Sequence, residues 1–298
     1  MATATRLSEP AHTPPLGIAL WLLTGGTLAD RVQWAVAYGF NAVSLLQEVV
    51  GFEEKERADA ARAIQQAGLR VTYHANVHQR LTAAGELDYS YVGQVIDDTL
   101  WWHHHTCGVS SFCLDPVYLA EEGKPRFSWD TSRHLMQMLA ARLQADGIRF
   151  GIENSFGDEH CFGSLGDIAR LKALCDLPAM GLLLDAGHAN IHVRSGGVEG
   201  ETEIGDFVRR LALEILEVHL SDNQGQHDEH KPIGYGNLDV RSLLRALKDI
   251  GFRGQLTVEV CLDLGGGRYA ADISNPPETA SILSSRDAVR SAWDRLAE

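Results

Sequence analysis

Between Leu216 and Asp239 the chain reads LEVHLSDNQGQHDEHKPIGYGNLD, and His219, Asp222, His227, Asp228 and His230 fall within twelve positions of it. Imidazoles and carboxylates at that density are costly to bury alone. They stay in water, pair with one another, or hold a cation. Other chemistry-capable residues close other apolar runs: His74 in LRVTYHAN, Glu153 and Asn154 in RFGIENS, Asp185 and His188 in MGLLLDAGH, and Glu259 in QLTVEVCL. A mixed oxygen and nitrogen donor set of this kind suits a divalent cation.

Such residues act together only if the fold aims them at one place. Eight β-rich runs alternate with amphipathic segments: LGIALWLL, AVSLLQ, LRVTYHAN, VSSFCLD, RFGIENS, MGLLLDAGH, ILEVHLSD and QLTVEVCL. Helical patterns such as EKERADAARAIQQAG and DVRSLLRALKDIG lie between them, several closed by a glycine. Eight βα units in this length predict an α/β chain with a single closed (β/α)₈ barrel over residues 16–298, preceded by a disordered tail over 1–15. Such barrels build their active sites at the C-terminal strand ends, where the residues above collect. Strand alternation turns Glu153, Asp185, His219 and Glu259 inward from four strands at one level. Three carboxylates there repel one another unless a divalent ion sits among them. Glu217 points inward one layer below His219, with Arg149 as its expected partner.

Composition narrows the partners. At 298 residues and 45% hydrophobic content the chain can bury one large core. Its charge of -14, from 26 basic against 40 acidic residues, and its lack of a basic run disfavour nucleic acid. LGIALWLL is too short to span a bilayer, so no membrane is expected. Five scattered cysteines without a C-x-x-C pair suit a reducing cytoplasm. A homo-oligomer is compatible with this composition.

Other signals read as structural. His103, His104 and His105 end a helical segment before the fourth strand, on the far side of the barrel. Gly265 to Arg268, GGGR, could cradle a phosphate but more simply supplies flexibility within a long loop, DLGGGRYAADISNPPE. IGYG lies before the seventh helix and is no dinucleotide fingerprint, since it lacks the third glycine. Trp101 and Trp102 belong to packing, whereas Trp21 either packs or walls a bound ligand.

The runs GIENSFGDE, LLLDAGHANIH, VHLSDNQGQHDEHKPIGYGNLD and LTVEV, in this order and spacing, resemble the xylose isomerase-like barrels. That family includes sugar epimerases, hydroxypyruvate isomerase, inosose dehydratase and endonuclease IV. The resemblance spans nearly the whole chain and implies a single (β/α)₈ TIM barrel binding one Mn²⁺, Co²⁺, Mg²⁺ or Zn²⁺ through Glu153, Asp185, His219 and Glu259. It implies substrate contacts for His188 and Glu159, with His74, Asn154 and His230 beside them. Endonuclease IV holds a further zinc with residues matching His188, Asp228 and His230, so these three form a candidate second metal site. His74 also matches a nuclease ligand, but CLDPVY places Asp115 and Pro116 where the nuclease pattern has a histidine. The expected activity is isomerisation or epimerisation of a small sugar or keto-sugar through a metal-stabilised enediolate, with Glu153 and Glu259 moving the proton. A lyase on the same scaffold, by dehydration or 3-keto-glycoside cleavage, is the alternative. An endonuclease IV-like nuclease and a catalytically silent binding module rank below it.

Overall fold

The computed structural model describes residues 12–121, 124–157, 160–195, 201–263 and 268–296, and in it the strand-forming runs close a barrel of eight parallel strands. These are β1 Leu16–Ala19, β2 Ala42–Leu46, β3 Arg70–Ala75, β4 Val109–Leu114, β5 Arg149–Glu153, β6 Met180–Asp185, β7 Glu214–Leu220 and β8 Gln255–Val258. Each pairs with the next, and β1 closes the ring on β8 through Leu16, Gly17 and Ile18. The helices are α1 Leu28–Ala37, α2 Glu54–Ala67, α3 Tyr89–His105, α4 Trp129–Leu143, α5 Leu165–Cys175, α6 Ala186–Arg194, α7 Ile204–Arg210, α8 Val240–Asp249 and α9 Pro276–Asp294.

Local chemistry sets the helix ends. Thr27 and Ser164 form capping boxes with Asp30 and Asp167, so two otherwise orphaned amides are satisfied at the start of α1 and of α5. Helix α2 stops at Gly68, whose φ of 63° is a conformation glycine adopts without a Cβ penalty. Leu243, Leu244, Ala246 and Leu247 of α8 are buried and join one apolar core with strand residues such as Ile18, Val43, Phe150 and Val258. The alternate strand residues face into the barrel. There Cys113, Leu183 and Leu216 form a separate apolar plug. Leu216 reaches it because the β6–β7 register slips between Ile215 and Glu217. Gly181 makes the room, since a Cβ there would lie 2.4 Å from Leu216 Cγ.

Several elements differ from the sequence expectation. LGIALWLL breaks after Ala19 into a 3₁₀ turn, Leu20–Leu22, and a short strand, Leu23–Thr24, paired with Ala271–Asp272. MGLLLDAGH is strand only to Asp185, which caps α6 by accepting the His188 amide at 2.6 Å. QLTVEVCL is strand only to Val258, although the Glu259 amide still donates to Leu220 at 3.0 Å. The expected long loop after β8 contains an antiparallel pair, Leu262–Asp263 with Arg268–Tyr269. Residues 265–267 of GGGR and the Arg268 side chain lie outside the described residues, as does most of the expected N-terminal tail. No helix among the described residues is long and apolar enough to cross a membrane, and none of the five cysteines is in a disulfide.

Candidate active site and metal centre

The C-terminal mouth of the barrel gathers acidic and imidazole side chains from several strands. Glu153 and Asp185 are the last residues of β5 and β6, His219 lies near the end of β7, and Glu259 follows β8. All four are buried. Ligand atoms of Glu153, Asp185 and His219 lie within 4.8 Å of one another, and Glu259 Oε2 is 3.0 Å from His219 Nδ1. The other face of that imidazole meets Glu217, whose carboxylate lies 3.5 Å from Nε2. Glu217 also accepts from the Thr72 and Thr257 hydroxyls at 2.8 and 2.6 Å and the Gln255 amide at 3.5 Å. This layer puts a buried negative charge beneath the ring at ion-pair distance, although Nε2 forms no hydrogen bond among the described residues. The expected Arg149–Glu217 pair is not formed. Arg149 begins β5 at the barrel floor, where it reaches Glu214 at 3.0 Å instead.

Two further groups flank the centre. His74 Nε2 lies 2.8 Å from Asp115 and 3.4 Å from Glu153, and these three residues form a second cluster of ligand type that shares Glu153 with the first. On the other side His188 Nδ1 bonds the Asn154 carbonyl at 2.9 Å, while His230 Nδ1 bonds the Glu259 carbonyl at 3.1 Å. Their Nε2 atoms converge on Asp228 at 3.8 and 3.1 Å. Phe156 lies 4.9 Å from the His188 ring, and Trp21 lies 5.9 and 5.8 Å from His74 and His219. Asn154, expected beside substrate, is fully buried with both amide ends on the Asp185 backbone. It therefore fixes where Asp185 stands. Glu159 lies outside the described residues.

Asp222, part of the histidine-rich run, has a different occupation. Its two oxygens accept the amides of Asn223 and Leu238, and of Gly234 and Gly236, at 2.9 to 3.0 Å. Gly236 comes so close that a Cβ would lie 2.2 Å from Asp222 Oδ1. The carboxylate thus ties down the loop that carries Asp228 and His230. His103 and His104 end α3, where His104 faces Asp146 at 3.7 Å, and Trp102 is buried in the core.

The electrostatics follow from crowding. Burial, reinforced by Asp115, Asp185 and Glu259, pushes the Glu153 carboxyl well above its ordinary range, and burial raises Asp185 too. Burial alone would lower the imidazoles. Asp185 and Asp228 instead hold His188 at about 9, and Glu259 and Asp228 do the same for His230. The Glu259 and Glu217 carboxylates hold His219 well above its usual value. Burial would raise Glu259, but His219 and His230 bring it down to about 2. The Asp185 Oδ2 atom is buried with no hydrogen-bond partner among the described residues. A cavity of about 270 Å³ opens onto these groups. Its lining includes Trp21, Gln47, His74, Asp115 and Asp228 and, among the described residues, no lysine or arginine.

Sequence reasoning treated Asp115 only as a departure from the nuclease pattern and passed over Gln47. Both are the first residues after β4 and β2, as Glu259 is the first after β8. Gln47 accepts the Asn76 amide at 2.7 Å at the cavity edge.

The profile of the xylose isomerase-like TIM barrel family matches residues 103–284, more than half of the chain. The chain belongs to the xylose isomerase-like TIM barrel family. An uncharacterized protein of Methanocaldococcus jannaschii is 30% identical over 115 residues, a match covering 38% of this chain and 37% of that relative's length. Among solved structures, a D-tagatose 3-epimerase-like protein superposes with a TM-score of 0.72 at 17% identity, over 95% of this chain and 98% of its own. The D-psicose 3-epimerase of Clostridium cellulolyticum gives 0.71 at 15% identity, over 94% and 99%. The 3-keto-D-glucoside 4-epimerase of E. coli gives 0.67 at 15%, over 94% and 100%. At these identities the likeness is one of fold.

Proposed function

We propose that the protein is a divalent-metal-dependent isomerase or epimerase of a small sugar or keto-sugar, working in the cytoplasm. The observation that carries this reading is the convergence of Glu153, Asp185, His219 and Glu259 in one buried mouth, with Asp185 Oδ2 left without a hydrogen-bond partner among the described residues. Without a cation such a set is held together by protons on groups such as Glu153; a divalent ion would take their place. These four residues would hold one Mn²⁺, Co²⁺, Mg²⁺ or Zn²⁺, a donor set compatible with each. When bound, the ion supplies Lewis acidity that makes the carbon beside a substrate carbonyl more acidic. Glu153 ends β5 and Glu259 follows β8, at separate sides of the mouth. One takes the proton from that carbon and the other returns it, which inverts the centre. His188 and His230 present imidazoles to the same cavity for substrate hydroxyls. Trp21 gives the sugar an apolar wall. The names carried by similar folds, a D-psicose 3-epimerase and a 3-keto-D-glucoside 4-epimerase, support the carbohydrate class.

The lyase alternative has one observation in its favour. His188 and His230 line the cavity with their Nε2 atoms 3.8 and 3.1 Å from Asp228, placed to act as acids toward a leaving group. The metal-loaded protein, incubated in D₂O with free and phosphorylated keto-sugars and 3-keto glycosides and followed by NMR, separates the two. Epimer or isomer formation with deuterium at the carbon next to the carbonyl supports the first reading. Loss of water or aglycone replaces it with the second, and no reaction across the panel removes both.

A further inference from the structure

A second cavity, of about 150 Å³, lies beside the first, between the end of β1, helix α1 and the turn Gln47–Gly51 after β2. Trp21, Leu46 and Glu48 line both, so the two cavities adjoin across these side chains. The walls of the second are largely apolar, built by Leu20, Leu23, Leu28, Leu45, Val49 and Phe52. An apolar space of this order admits a benzene-sized ring.

One basic group breaks the apolar wall. Arg31, at the end of the first turn of α1, lines this cavity and is the one lysine or arginine among the described residues that line the two. Its Nε is buried with no hydrogen-bond partner, and the guanidinium makes no ion pair among the described residues. A buried donor without an acceptor is expensive to maintain, and neither Thr24 nor Glu48, the other polar residues that line this cavity, bonds it. The setting sharpens the point: the chain carries a net charge of -14, and the neighbouring cavity is lined by Asp115, Glu153, Asp185, Asp228 and Glu259. Arg31 is half-buried, with its Nε enclosed, and a guanidinium that pairs with none of these carboxylates is a receptor for an anionic oxygen.

We infer that this cavity is a subsite for an apolar, ring-sized substituent that carries a carboxylate or phenolate oxygen, and that the substrate is accordingly a sugar bearing such an aryl group rather than a bare sugar. The second half rests on the carbohydrate reading of the adjoining site; the first half does not. Trp21 stands between the two spaces, where one face can meet the sugar and the other the ring.

The subsite is tested with 4-fluorobenzoate as probe, followed by ¹⁹F line broadening on the Mg²⁺-loaded protein. 4-Fluorobenzyl alcohol supplies the ring without the charge, and trifluoroacetate the charge without the ring. The benzoate is expected to bind at least about tenfold more tightly than either, the contribution of one charge-assisted hydrogen bond or of a buried ring. Arg31→Leu removes that advantage, Arg31→Lys keeps part of it, and Val49→Phe, which fills the space, blocks the ring. All three variants keep the wild-type metal content and melting temperature. Trifluoroacetate binding as well as the benzoate, or benzoate binding indifferent to Arg31→Leu and Val49→Phe, overturns the subsite. The substrate class is read from turnover. A 4-carboxyphenyl 3-keto-glucoside should exceed the methyl 3-keto-glucoside in kcat/KM by about tenfold, a preference lost in Arg31→Leu. Equal values with the probe results intact overturn the aryl-substrate claim alone, and no turnover of any sugar with those results intact counts against the carbohydrate reading.

Discussion

Asp222→Asn is the sharpest test of how the histidine-rich loop is held. One Asp222 oxygen accepts the Asn223 and Leu238 amides and the other accepts those of Gly234 and Gly236, all at 2.9 to 3.0 Å. The side chain is 1% exposed, so water cannot replace a lost acceptor. Asparagine keeps one oxygen and turns an NH₂ group toward the other pair of amides. Two hydrogen bonds to a charged acceptor are lost, at about 1.5–3 kcal/mol each, so the variant should lose at least about 3 kcal/mol. That is a large fraction of the about 5–15 kcal/mol by which domains are stable. Urea unfolding with and without the substitution measures the loss, and amide exchange at Gly234 and Gly236 should accelerate in the same variant. Because both oxygens of Asp222 are committed to backbone, Asp222→Asn should still take up one divalent ion per chain under saturating Mn²⁺. A loss under about 1 kcal/mol with slow exchange retained, or a variant that folds but binds no ion, would refute the reasoning.

Three further outcomes are expected. Glu259→Gln keeps a ligand oxygen and removes the base, so turnover should fall by about 10² to 10⁴ with the ion retained; near-normal turnover in the metal-loaded variant would reduce Glu259 to a ligand. Glu217→Gln, which loosens the carboxylate grip beneath His219, should weaken Mn²⁺ binding by about 10- to 100-fold, measured by calorimetry, and an unchanged affinity would show that the ring needs no such support. Burial and the Asp98 carboxylate, to which its hydroxyl donates at 2.8 Å, push the Tyr73 phenol well above 10. Its stabilisation is complete below pH 10 and is lost as pH rises from there toward the folded value, because the unfolded chain releases the proton first. The urea midpoint should therefore fall more steeply above pH 10 in the wild type than in Tyr73→Phe, and parallel slopes would contradict this.

The barrel and its inward-facing carboxylates were legible because both obey short-range rules. Period-two alternation places Glu153, Asp185 and His219 on the inner face, and the C-terminal ends of parallel strands are where such barrels do chemistry. What stayed hidden depends on contacts distant in sequence. The slip at Leu216 sends two neighbouring residues, Leu216 and Glu217, into the barrel, and only the space left by Gly181 on the adjacent strand permits it. Arg149 shares the parity of Glu153, yet at the barrel floor it is half-buried and reaches Glu214, a choice that alternation alone does not reveal. Asp222 sits among metal-capable residues in the chain, a setting that leaves its role open. Its real partners are amides 12 to 16 residues ahead, on the turn built by Gly234 and Gly236. Asp115 was read against a pattern from elsewhere, and its place beside His74 emerges only when β3 and β4 pair.

The central claim is that the buried mouth of the barrel holds a divalent ion through Glu153, Asp185, His219 and Glu259. Mn²⁺ titration of the metal-stripped protein, run in parallel on wild type, His219→Ala and His103→Ala, addresses it directly. The account predicts one tight ion in the wild type, loss of most of that affinity in His219→Ala, and no change in His103→Ala, whose imidazole lies at the end of α3. Equal binding by the two variants, or no ion held by the wild type, would contradict it.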